Sequence, residues 1–96
     1  RTDTLVLKKG WNARNSVPHR NPNAEQQRAD AALPRFTLPK DTELEMDSSI
    51  PPKKGSVGGK EYDFIKVKIK SKLSNAQIKE AEKAGVLVSE GSSVWI

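Results

Sequence analysis

His19 is the only histidine in the chain, and it lies in Arg14-Asn15-Ser16-Val17-Pro18-His19-Arg20, a polar loop rather than an apolar face. A neutral imidazole can take a proton from a hydroxyl and return it, and guanidiniums beside it can hold a phosphate in a bidentate grip. The combination suits metal-free phosphodiester cleavage. His19 would act as general acid or base on a 2′-hydroxyl, with Arg20 and Arg14 as phosphate ligands stabilising the pentacoordinate phosphorane. The competing reading is an ordinary exposed loop histidine, since spacing marks no second acid or base.

Lys66, Lys68 and Lys70 share one parity of an extended run, so on a strand they project from one face at intervals of roughly 6.6–6.8 Å. That matches the phosphate spacing of an extended single strand of nucleic acid. Tyr62 and Phe64, in the same register, offer rings on which bases could stack. Lys53, Lys54 and Lys60 in the glycine-containing segment that precedes them would extend the patch. The alternative is a solvated strand face whose lysines discourage edge pairing.

Other chemistries fail on spacing. Gly55-Ser56-Val57-Gly58-Gly59-Lys60 is followed by Glu61 and then a strand pattern, whereas a phosphate loop needs Ser or Thr there and a helix after it. Asp41, Glu43, Glu45 and Asp47 alternate along one strand face, where carboxylates diverge and lack the turn of a calcium loop, so they read as a solvated face or a dock for a basic element. No Gly-x-Ser-x-Gly elbow is present. There is no cysteine, hence no disulfide, thiolate metal site or cysteine nucleophile, and no cofactor is implied.

The elements that must position these residues follow from period and punctuation. Leu5–Leu7 reads as a strand closed by Lys8-Lys9-Gly10, and 12–23 as a loop. A helix starts at Asn21-Pro22, with Asn21 as N-cap, and ends before Pro34. Arg35-Phe36-Thr37-Leu38 is extended, and Leu44–Met46 belongs to a strand of period two. The segment 51–60 is turn chemistry, expected as a long mobile loop. Tyr62–Lys70 is the clearest strand, and because its aromatic and aliphatic residues differ in parity it should bulge or bend near Phe64-Ile65. Ser74 and Gln77 form a capping box for a helix that Gly85 ends. Val86–Val88 and Val94–Ile96 then read as a terminal hairpin. A winged-helix comparison fits poorly, since the would-be recognition helix sets Lys79 and Lys83 against Glu80 and Glu82.

Ninety-six residues allow one domain, and 34 % hydrophobic residues with five aromatics allow only a thin core. The net charge of +5 is distributed as +5 over residues 1–40, −4 over 41–50, +5 over 51–72 and −1 over 73–96. With an isoelectric point near 9.6, polyanions are the natural partners, nucleic acid first and anionic membrane second. No stretch is apolar enough to span a bilayer. The chain opens on Arg1 and has its one methionine at Met46, which suits a piece excised from something longer.

The lone loop histidine with Arg20 beside it, the three-lysine face, nearby serine and threonine and the lack of cysteine resemble, in profile, the C-terminal nuclease modules of bacterial polymorphic toxins, including those of contact-dependent growth inhibition systems. Several such modules are metal-free ribonucleases, often of the barnase, EndoU, colicin and RelE type, in which helices precede a small antiparallel sheet. Here the capped helix at 75–84 falls between strands. The resemblance implies delivery into a target cell's cytoplasm, an RNA substrate and a cognate immunity protein, acidic where it covers the basic site.

The expected fold is a single small α+β domain: a mostly antiparallel, curved sheet from Leu5–Leu7, Leu44–Met46, Tyr62–Lys70, Val86–Val88 and Val94–Ile96, with two short helices. Its expected centre is Leu44, Met46, Ile65, Val67, Ile69, Ile78, Leu87, Val94 and Trp95, with Trp11 also read as core. The expected function is a toxin-type ribonuclease on structured RNA such as tRNA. A non-catalytic nucleic-acid-binding module and a basic interaction domain with an acidic partner are the alternatives.

Overall fold

A computed structural model describes residues 2–96. Among them the strands β1 (Thr2–Val6), β2 (Trp11–Arg14), β3 (Arg35–Leu38), β4 (Glu43–Asp47), β5 (Lys53–Val57), β6 (Lys60–Phe64), β7 (Lys66–Ile69) and β8 (Ser93–Trp95) accompany the helices α1 (Ala24–Ala31) and α2 (Asn75–Ala84). Six strands form one antiparallel sheet in the order β1-β4-β7-β8-β2-β3, and β5 and β6 form a separate hairpin. The architecture is a single α+β domain.

Two connections fix the curvature. Val6 to Trp11 joins the first and fifth strands of the sheet, and Leu38 to Glu43 joins the sixth and second. Four strand spacings on a flat sheet come to roughly 19 Å, and five residue steps reach at most about 18 Å. The sheet must therefore curl toward closure. The two connections meet where the Leu7 amide donates to the Thr42 carbonyl at 3.0 Å and the Asp41 amide to the Leu7 carbonyl at 2.8 Å.

One side of the curled sheet carries the core. Met46, Val67 and Val94 lie opposite one another on β4, β7 and β8, and Leu44 lies opposite Ile69. Leu7, Ala13, Leu38, Leu73, Ala81, Val86 and Val88 complete the buried cluster, with Met46, Ile65 and Ile78 packed at its margin. Val86 and Val88 are buried, but Val86–Val88 is not a strand. The two ladders of β8 are already taken by β7 and β2, so no partner is left for that segment. Leu87 points outward at 64 % exposure, and Trp11 is 45 % exposed, so neither belongs to the core. Trp95 lies on the opposite face from Val94 and is also outside the cluster.

The Tyr62–Lys70 run breaks at Ile65, where the parity of its side chains changes. Ile65 exchanges backbone hydrogen bonds with Ile96 at 2.8 and 2.9 Å, β6 leaves for the hairpin and β7 stays in the sheet. The segment 51–60, expected as a loop, is strand-turn-strand. Gly58 and Gly59 have φ of 59° and 83°, the paired positive values of a tight hairpin turn that suits right-twisted strands.

The second helix begins and ends as its sequence indicates, with the Ser74/Gln77 capping box and a left-handed Gly85, and the Val86 amide closes the end on the Ala81 carbonyl. The first helix starts later than the Asn21-Pro22 signal. Its N-cap is Asn23, because Asn23 has Gln26 three residues on to complete a capping box (2.8 and 3.0 Å), whereas the same spacing from Asn21 reaches Ala24. No residue of α1 is buried, so the cap carries much of its stability. Asn23→Ala is expected to cost about 1 kcal/mol, read as faster hydrogen exchange confined to residues 24–31 together with a lowered melting temperature.

Candidate active site and polyanion surface

The 15–23 segment has no regular structure but is anchored along its length. The Asn15 side-chain amide donates to the Gly85 carbonyl at 2.7 Å. The Ser56 amide donates to the His19 carbonyl at 2.9 Å, and the Ser56 hydroxyl donates to the Arg20 carbonyl. Another anchor is Asp30 on α1. It accepts from the His19 backbone amide at 2.9 Å, and its two carboxylate oxygens lie 2.9 and 3.0 Å from His19 Nδ1.

A carboxylate only accepts, so this contact places the neutral ring's proton on Nδ1 and leaves Nε2 as a base. The His19 side chain is 51 % exposed and that of Asp30 only 12 %. The imidazole is thus oriented from the protein side and open to solvent on the other. Asp30 was not among the residues singled out in the sequence. It supplies the positioning partner that spacing did not mark, and a carboxylate near the end of a helix with a weak apolar stripe gave no signal beyond its type.

Beside Asp30 is a cleft of about 540 Å³ whose lining includes Arg14, Arg35, Asp30, Ser56 and the Gly58-Gly59 turn. Arg14 and Arg35 are directly opposite each other on β2 and β3. Directly opposed residues of an antiparallel pair project from the same face, and like charges so placed repel. No carboxylate pairs with either guanidinium among the described residues. Burial lowers the pKa of Arg14 from its ordinary value, and the charge of Arg35 adds to the shift. Arg14 is stabilised from one side by the Phe64 ring, 5.7 Å from guanidinium carbon to centroid. Two unpaired guanidiniums in one cleft are an arrangement that an anion would relieve.

The row continues across the sheet. Lys66 is opposite Trp95, and Trp95 is opposite Arg14, so Lys66, Trp95, Arg14 and Arg35 form one line over β7, β8, β2 and β3 on the face away from the core. Lys53 Nζ on the overlying hairpin is 5.7 Å from the Trp95 ring centroid, and Lys66 Nζ is 6.0 Å from it. The strand-wise lysine row is arranged differently from a continuous track. Lys68 lies opposite Glu45, and Lys70 Nζ is 3.6 Å from Glu45 Oε2. Glu45 of β4 therefore faces both of these lysines of its own sheet, and of the three only Lys66 joins the cationic row.

The remaining sequence candidates are dispersed. Arg20 Nε donates to Glu61 at 2.8 Å, which ties the loop to the hairpin. Lys54 donates to Asp63 at 2.8 Å, and this bond raises the lysine pKa from its ordinary value. Lys60 is exposed at the turn end of β6. Tyr62, opposite Gly55, is 47 % exposed and lines a second, more apolar cleft that shares Arg14 with the first. Arg35 was missed in the sequence, although its parity opposite to Phe36 and Leu38 marks it as pointing away from a core.

Gly55 sets the distance between hairpin and loop. A Cβ there would stand 2.6 Å from the Pro18 carbonyl oxygen, 2.9 Å from Val17 Cγ1 and 3.0 Å from Phe64 Cε1. Gly55→Ala is therefore expected to lower stability by about 1–3 kcal/mol, measured by urea unfolding. It should also displace the Ser56 amide from His19, so unchanged stability would show that the hairpin does not press on the loop.

Comparison with protein-family models, with curated proteins and with solved structures gives no match for this chain.

Proposed function

We propose that the domain is a metal-independent ribonuclease of the toxin type, acting on structured RNA such as tRNA in the cytoplasm of a target cell, with an acidic immunity protein as its cognate partner. The observation that carries this reading is Asp30, which holds the exposed His19 ring and itself lines the cleft whose wall carries Arg14 and Arg35, neither of them ion-paired among the described residues. His19 Nε2 takes the proton of a ribose 2′-hydroxyl. The 2′-oxygen bonds to phosphorus, the bond from phosphorus to the 5′-oxygen breaks, and that oxygen takes a proton from water. The products are a 2′,3′-cyclic phosphate and a 5′-hydroxyl. Arg14 and Arg35 stabilise the charge that builds on the equatorial oxygens, and Asp30 holds the ring. The test is incubation of the chain with total tRNA in EDTA, read on a denaturing gel beside the His19→Ala variant. Discrete fragments from the parent alone support the reading, and intact RNA in both lanes overturns it.

The Lys66-Trp95-Arg14-Arg35 row favours a second reading, a module that binds nucleic acid without cutting it. In that case tRNA affinity falls steeply with salt and His19 is irrelevant to every measurement.

A further inference from the structure

The larger cleft lies between the β1–β2 connection and the hairpin, has a volume of about 750 Å³, and is lined by Leu5, Val6, Trp11, Tyr62, Phe64 and Ile65 among others. Its apolar walls are open to solvent: Leu5 and Val6 are each 37 % exposed, Trp11 45 % and Tyr62 47 %. Its polar boundary is mainly cationic. Lys8, Lys9 and Arg14 line it, and Lys9 Nζ is 5.5 Å from the Trp11 ring centroid. The carboxylate in the lining, Asp63, is bonded to Lys54. Half-exposed aromatic rings in an apolar recess lined by Lys8, Lys9 and Arg14, none of them ion-paired among the described residues, suit a flat, aromatic ligand that carries negative charge.

Arg14 lines both clefts. Trp11 and Tyr62 line the cleft that Arg14 shares with the first, so a nucleotide whose phosphate rested on Arg14 would extend its sugar and base into that cleft. We propose that the larger cleft is a nucleobase subsite, taking the base of an unpaired nucleotide whose phosphate rests on Arg14, so that the substrate is RNA with an extruded or single-stranded base at the cut. Such recognition fits RNA, whose loops and bulges offer unstacked bases for aromatic side chains. The proposal rests on the reading of Arg14 as a phosphate ligand, and goes beyond it in assigning the base.

The chain has two tryptophans, so its two indole N–H resonances are resolved by comparison with Trp95→Phe. The experiment titrates the full chain with adenosine monophosphate and, separately, with ribose 5-phosphate. The nucleotide is expected to shift the Trp11 resonance and to bind about tenfold more tightly than the sugar phosphate, within the range of one base stacked on an aromatic side chain. Tyr62→Leu should remove most of that difference and leave the affinity for ribose 5-phosphate unchanged. Equal affinity for the two ligands, with Trp11 unmoved, would overturn the base subsite while leaving the phosphate site standing. Binding of neither would overturn both, and no variant is needed to read either result.

Discussion

The His19→Ala variant is expected to cleave tRNA about 10²- to 10⁴-fold more slowly than the parent, the usual contribution of a positioned general base, with its affinity for tRNA unchanged and its melting temperature only slightly lowered by loss of the ring's contact with Asp30. The ring is half exposed and lies outside the buried cluster, so its removal leaves no cavity. Asp30 separates the catalytic role from a structural one. Asp30→Asn keeps an oxygen that can accept from the His19 amide, but it no longer holds the proton on Nδ1. Turnover should fall while KM stays constant, and the nitrogen resonances of His19 should report a redistributed tautomer. Asp30→Glu, which restores the carboxylate, should recover part of the rate. If turnover in Asp30→Asn fell only in step with lost stability, Asp30 would be a loop anchor and nothing more.

That dyad also shows where sequence reasoning stops. His19 was legible as a candidate because a lone histidine among arginines in a polar segment has a limited set of uses. Its partner was not, because Asp30 meets it through a loop closure whose geometry depends on the hairpin, and the hairpin itself read as turn chemistry. The residues Lys53-Lys54-Gly55-Ser56-Val57 carry no alternation of apolar and polar side chains. They form a strand by pairing with Lys60–Phe64 across a two-glycine turn and by packing Gly55 on the loop. Where a local signal was redundant, as with Ser74, Gln77 and Gly85 around α2, element and boundaries were both readable. Where two residues of one type competed, as Asn21 and Asn23 did, the one with Gln26 at the right distance won.

The sheet was legible in its parts and not in its order. Period two marked Leu44–Met46 and Val67–Ile69, and the parity change at Ile65 marked the break between β6 and β7. The insertion of β8 between β7 and β2 is a long-range choice, and it decided three outcomes at once: it left Val86–Val88 unpaired, it turned Trp95 away from the core, and it brought Arg14 into line with Lys66. The same choice changed the meaning of the lysine row. Reading along one strand suggests a track of Lys66, Lys68 and Lys70, but Glu45 of β4 pairs with Lys70 and lies opposite Lys68, and β8 on the other side extends Lys66 across the sheet. The cationic row runs across the strands here, and a single strand's sequence cannot display that direction.

The facing arginines then make a prediction of opposite signs for binding and stability. Arg35→Gln removes a like charge directly opposite Arg14, so the melting temperature is expected to rise, by the equivalent of about 0.2–1 kcal/mol, while tRNA binding weakens. Arg14→Gln removes a half-buried cation and its contact with the Phe64 ring as well, so its stability change is the smaller of the two. Its cleavage rate should nevertheless fall about 10²- to 10³-fold, as for loss of one preorganised donor at a developing anion, and the salt dependence of tRNA affinity should flatten by about one counterion. Arg14→Lys keeps the charge and loses the planar fork. It should retain the salt slope and still cleave poorly, because a point charge cannot hold two phosphate oxygens at once. In the double Gln variant the stability gains should not add, since whichever arginine is removed first has already relieved the repulsion. A fall in stability for Arg35→Gln, with tRNA binding unaffected, would mean that the pair is held by contacts within the fold and that the cleft does not receive an anion.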